Sequence, residues 1–114
     1  KRIVFDVSAQ SVSAVQAFYG DLFDLDVSMD HGWIVTLSSG QTAPVQISIA
    51  SEGGSGAPVP DASIEVDNVD AIYQRAKHLG HKITYDLCDE PWGVRRFFLM
   101  DPTGKILNVL SHTP

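Results

Sequence analysis

The chain has one cysteine, Cys88, in 114 residues. A single thiol excludes an internal disulfide framework and any multi-cysteine zinc site. Basic residues are also scarce: eight Lys and Arg stand against fourteen Asp and Glu, a formal charge of −6 at pH 7. Nucleic-acid binding needs a dense Lys/Arg face to neutralise phosphates, and the nearest thing to one, Arg95-Arg96, is too small. No apolar run approaches the roughly 18 residues of a membrane span, and no charged-then-apolar leader opens the sequence. These shortages leave an acidic soluble domain, expected in the cytoplasm, with neither nucleic acid nor membrane as partner. Apolar material is sufficient for a core, at 44% of residues. A chain of this size buries about two-thirds of its extended surface on folding.

One joint stands out, Ser51 to Pro60 (SEGGSGAPVP), whose Gly, Ser and Pro content favours turns and flexible chain. The pattern on either side of it is the same. In the first half Ile3–Val7 alternates as a strand, and Ser11 caps a helix whose apolar stripe is Val12, Val15, Phe18, Tyr19 and Leu22. Strands follow at Leu25–Met29, Trp33–Ser38 and Val45–Ile49, the last in strict apolar/polar alternation. In the second half Ala62–Val66 is a strand, and Asn68 caps a helix with the stripe Val69, Ile72, Tyr73, Ala76 and Leu79, stopped by Gly80. Lys82–Leu87, Val94–Met100 and Lys105–Leu110 complete it, with Asp101-Pro102-Thr103-Gly104 as the last hairpin turn. The expected fold is α+β: tandem βαβββ units forming curved mixed sheets with helices outside. It spans one domain over 1–114, with unit one at about 1–50, a linker at 51–60 and unit two at about 61–114.

This plan resembles the vicinal oxygen chelate superfamily, the glyoxalase, bleomycin-resistance and extradiol dioxygenase group. Four motifs carry the resemblance in order. Phe18-Tyr19-Gly20-Asp21-Leu22-Phe23-Asp24-Leu25 is similar to the group's first-helix end, with Asp24 in place of the usual stopping Gly. Asp67-Asn68-Val69-Asp70 matches the entry to its second helix. Glu90-Pro91-Trp92-Gly93 is similar to a stretch found in bleomycin-resistance members, and Asp101-Pro102-Thr103-Gly104 with Lys105-Ile106-Leu107-Asn108 matches the closing hairpin. The resemblance implies that each unit's strands curl into a cup that holds the ligand.

In the family's enzymes four side chains from these strands chelate a divalent metal. The matching positions here are Val4, Gln46, Asp61 and Asn108. Val4 has no donor atom, Gln46 and Asn108 are neutral amides, and only Asp61 is charged; hard and borderline dications favour carboxylate and imidazole. A two-residue shift in the first strand would offer Arg2 or Asp6 instead. The four histidines show no metal-binding spacing. His112 shares the strand phase of Asn108 if that strand runs on, and otherwise lies in a frayed terminus. His31 falls in a turn, and His78 and His81 end the second helix. Cys88 has Asp86, Asp89 and Glu90 around it, anions that disfavour a thiolate. The Gly53-Gly54-Ser55-Gly56 run lacks a lysine and opens no helix, so it reads as linker and not as a phosphate cradle.

The reading is therefore a small-molecule binder, with no cofactor and no metal, that sequesters an antibiotic-like ligand, an aromatic one among the candidates, as a homodimer. Gln46, Ser48, Asp61, Ser63 and Asn108 would supply hydrogen bonds from the cup floor, and Trp33, Trp92, Phe97 and Phe98 its aromatic walls. Phe97 and Phe98 are neighbours on one strand, so one faces the cup and the other the helix. Two alternatives stand beside it. One is a metal-dependent glyoxalase- or dioxygenase-like enzyme; the other is a metal-free enzyme with Asp61 or Glu65 as general base.

Overall fold

Both helices begin where their capping side chains place them. The computed structural model describes residues 4–41 and 47–114. Ser11 Oγ accepts the Ala14 amide and opens α1, Val12–Phe23; Asn68 Oδ1 accepts the Ala71 amide and opens α2, Val69–His78. α1 stops at Asp24, which takes the left-handed conformation (φ 60°) that glycine usually fills, its amide returning to the Gly20 carbonyl. Gly80, at φ 78°, stops the second helix in the ordinary way.

The chain divides into two compact units, Lys1–Ile49 and Ala50–Pro114. In the first, α1 packs against a two-stranded antiparallel sheet of β1 (Asp26–Asp30) and β2 (Val35–Ser38). The strands expected at Ile3–Val7 and Val45–Ile49 are not formed over residues 4–7 and 47–49; Ile3, Val45 and Gln46 lie outside the described residues. Apolar alternation marks a buried face, but a strand also needs a ladder partner. Among the described residues of this unit, β1 and β2 pair only with each other.

The second unit has the whole βαβββ order: β3 (Ala62–Glu65), α2, β4 (Lys82–Glu90), β5 (Val94–Met100) and β6 (Ile106–His112). The sheet runs β3-β6-β5-β4, parallel between β3 and β6 and antiparallel elsewhere. Two register shifts in β4, between Ile83 and Tyr85 and between Tyr85 and Cys88, bend that strand. The last strand continues to His112, which pairs with Val94, so the frayed-end alternative for that histidine is set aside.

α2 covers one face of this sheet, over Phe97, Leu99, Leu107 and Val109, all nearly inaccessible. Three polar clasps hold the layers. Ser111 Oγ accepts the Val69 amide and donates to the Val66 carbonyl, fastening the start of α2 to β6. Arg95 forks onto Asp70 in the helix's first turn and holds that carboxyl below its ordinary value. Asp101 Oδ1 accepts from the Thr103 amide and hydroxyl and from the Lys105 amide, fixing the hairpin turn.

The expected linker is corrected. Residues 51–60 belong to the second unit as a folded strap, with the Gly53 amide on the Ala57 carbonyl and the Ala57 amide on the Gly54 carbonyl. Glycine is needed here for space: a Cβ on Gly53 would stand 2.1 Å from the Pro58 oxygen, and one on Gly54 2.7 Å from Trp92 Cη2.

Candidate ligand-binding surfaces

Within the first unit, the N-terminal segment, α1 and β2 line an open cavity of about 680 Å³. Phe5, Val12, Tyr19, Trp33 and Leu37 give it an apolar, aromatic lining, while Asp6, Gln16 and Thr36 add polar groups. Size and lining both suit a drug-sized molecule. Trp33 is 79% exposed, so its indole presents a free face.

In the second unit the functional candidates lie on the sheet face opposite α2. Strand alternation and register set that face: Ser63 and Phe98 both stand beside Asn108 in adjacent strands. Asn108 Nδ2 donates to Ser63 Oγ at 3.1 Å; its Oδ1 is buried and has no hydrogen-bond partner. Farther along the same face, His112 Nε2 stands 3.7 Å from Glu65 Oε2. Phe98 meets Tyr85, ring centres 4.9 Å apart.

Not every sequence candidate reaches this face. Phe97 points the other way, into an edge-to-face contact with Tyr73 of α2, and is fully buried. Its place among the cup residues is corrected for that reason: adjacent strand residues alternate, and Phe98 lies on the face away from α2, itself buried beneath Tyr85 and Arg96. Asp61 Oδ2 accepts the Ile106 amide at 2.7 Å, so one of its oxygens is committed to holding β3 against β6. Ser48 is exposed and outside any strand, and Gln46 lies outside the described residues.

A cluster that the sequence reading passed over occupies the β4–β5 end. Glu90 is 8% exposed and accepts from Ser55 Oγ (2.7 Å), Tyr85 Oη (2.8 Å) and Cys88 Sγ (2.9 Å). Arg96, 4% exposed, completes it from 3.3 Å. Burial alone would raise the Glu90 carboxyl; the donors and the Arg96 charge outweigh it and hold the group below its ordinary value. Burial and the Glu90 carboxylate push the Cys88 thiol up, so it remains a protonated donor and not a nucleophile. The signal was available in Arg95-Arg96: adjacent strand residues face opposite ways, so one of the two had to leave the helix side.

The model of the Glyoxalase/Bleomycin resistance protein/Dioxygenase superfamily matches residues 5–109. The chain belongs to that superfamily. Solved structures agree on the fold. TioX from Micromonospora sp. ML1 superposes with a TM-score of 0.70 at 17% identity, over 100% of this chain and 98% of that one. TnmS3, an antibiotic binding protein from Streptomyces sp. CB03234, gives 0.69 at 20% identity, over 96% and 93%. A lactoylglutathione lyase from Agrobacterium tumefaciens gives 0.65 at 22%, over 90% and 87%. A comparison with curated proteins found no match.

The described positions at which the resemblance expects metal ligands fit a dication poorly. The Val4 side chain has no donor atom, Asp61 has one oxygen on a backbone amide, and Asn108 offers a single amide oxygen. Among the described residues, no group of three or more His, Cys, Asp or Glu side chains is placed to hold a metal. Nor is any helix among them long and apolar enough to cross a membrane.

Proposed function

We propose that this superfamily member binds and sequesters an aromatic, antibiotic-like small molecule without a catalytic metal. The observation that carries the reading is the open cavity of about 680 Å³ in the first unit, with Phe5, Tyr19 and Trp33 among its mostly apolar lining. The donor-poor metal positions support it, as does the fold shared with TnmS3, an antibiotic binding protein. On the second unit, Ser63 and the free Oδ1 of Asn108 are the polar groups retained as ligand contacts, and Phe98 and Trp92 the aromatic ones. The proposal includes a homodimer in the cytoplasm. In favour of the dimer, eight large apolar side chains of the first unit, among them Phe5, Ile47 and Ile49, are exposed.

The test is fluorescence titration of the purified protein with a panel of uncharged polycyclic aromatic antibiotics, beside metal analysis of protein prepared without chelator. Saturable binding to at least one compound is expected, weakened about tenfold or more by Trp33→Ala as a stacking partner is lost. Failure of every compound to bind would overturn the reading. Stoichiometric Zn, Ni, Mn or Fe would overturn its metal-free part and favour the enzyme alternative.

A further inference from the structure

Arg96 places a buried cation among three aromatic rings. Its guanidinium carbon lies 5.0 Å from the Tyr85 ring centre, 5.0 Å from Trp92 and 4.9 Å from Phe98. A Met or Leu would fill the space between three rings but would leave the buried Glu90 carboxylate without its cation. The surroundings are those that recognise a planar cation. Nη1 donates to the Gly53 carbonyl at 2.7 Å, and Nη2 to the Gly54 carbonyl at 3.2 Å and to Glu90 at 3.3 Å. Three π faces, a buried carboxylate and two backbone carbonyls are a receptor for a guanidinium or ammonium group. The fit of the present occupant is incomplete, because Arg96 Nε is buried with no acceptor.

Two walls of this receptor lie outside the sheet strands. Trp92 is 51% exposed, and the carbonyls of Gly53 and Gly54 belong to the strap rather than to the sheet. We propose that Tyr85, Trp92, Phe98 and Glu90 form a cation cage that Arg96 fills from within, and that a ligand's guanidinium, amidinium or ammonium arm takes it over when Arg96 swings out. The inference rests on the reading of the chain as a small-molecule binder and names the ligand class: an aromatic compound with a cationic arm. The exchange replaces one caged cation by another, so the cage stays charge-balanced. The intrinsic affinity is scaled down to the fraction of molecules in which Arg96 has swung out. The sign of the mutational effect is therefore reversed from that of an ordinary binding arginine. Removing Arg96 tightens cation binding.

The test uses the whole chain with benzamidinium, and benzamide as its neutral counterpart, in calorimetric titration and thermal melting. Arg96→Ala is expected to bind benzamidinium saturably, at least tenfold more tightly than the unmodified chain, and to melt higher in its presence. Benzamide should do neither, and adding Trp92→Ala should remove at least tenfold of the affinity. No saturable binding by Arg96→Ala, or equal binding of benzamide, overturns the proposal. Should Arg96→Ala fail to fold, the guanidinium NMR signals of Arg96 in the unmodified chain decide the matter. Their loss of slow exchange on adding benzamidinium supports displacement, and their persistence at saturation overturns it. If benzamidinium fails while the uncharged antibiotics still bind in the Trp33 cavity, only the cage is lost; the opposite pattern removes the antibiotic reading and keeps the cage.

Discussion

The two units are written on one pattern and finished differently. Among the described residues, nine of the eleven buried apolar side chains belong to the second unit and only Phe18 and Leu22 to the first. Eight of the eleven exposed large apolar side chains, by contrast, belong to the first. The second unit carries clasps between its layers at Ser111 and Arg95–Asp70 and one within its sheet at Asp61; among the described residues, the first has helix caps and a single hairpin. A repeated hydrophobic pattern thus specifies which side chains share a face, and the polar clasps decide whether that face closes on its own chain. The unit that leaves apolar surface uncovered is also the one that holds the large cavity.

The contrast breaks down most readily at the core. Phe97→Ala should cost about 3–5 kcal/mol in chemical denaturation, the range for deleting a buried aromatic. Ile49→Ala, at a 96% exposed position, should stay within about 0.5 kcal/mol at dilutions that leave single protomers. Equal losses would mean that Ile49 is buried in solution. A smaller effect tests the clasps: Ser111→Ala strands the Val69 amide and the Val66 carbonyl and should cost about 1–3 kcal/mol, whereas Ser48→Ala should be near neutral.

The smallest effect is a pH dependence. Hydrogen bonding to Arg95 lowers the Asp70 carboxyl from its usual value near 3.8. A lowered folded-state pKa gives stability that is complete above the unfolded value and lost as pH falls through the folded one. Asp70→Asn should therefore reduce stability slightly at neutral pH and flatten its decline in the acid range. An unchanged acid limb would show that Arg95 holds α2 by its length alone.

The second unit was largely legible from sequence. Asn68, Gly80 and the Asp101-Pro102-Thr103-Gly104 turn each do locally what their chemistry implies, and local signals need no knowledge of the partner strand. The alternation of Ile3–Val7 and Val45–Ile49 misled, because a ladder is a relation between segments and no single segment carries it. Phe97 and Phe98 were separable in principle by alternation, but which faced α2 depended on Tyr73, seventy-odd positions into the chain and on another element. The Arg96 cluster was hidden for a similar reason. Its parts, Ser55, Tyr85, Glu90 and Arg96, are scattered over three segments and converge only through the strap and the bend in β4.

That strap bears on how the protein can be taken apart. Composition invites a cut at Gly53-Gly54-Ser55-Gly56, as for any spacer between repeats. Cutting there, or starting a fragment at Pro60, would take from Arg96 two of its three acceptors and from Glu90 its serine donor. The seam between the halves lies ahead of Ala50. Chain-splitting, permutation and fusion designs that respect it would leave the glycines with the sheet they cover.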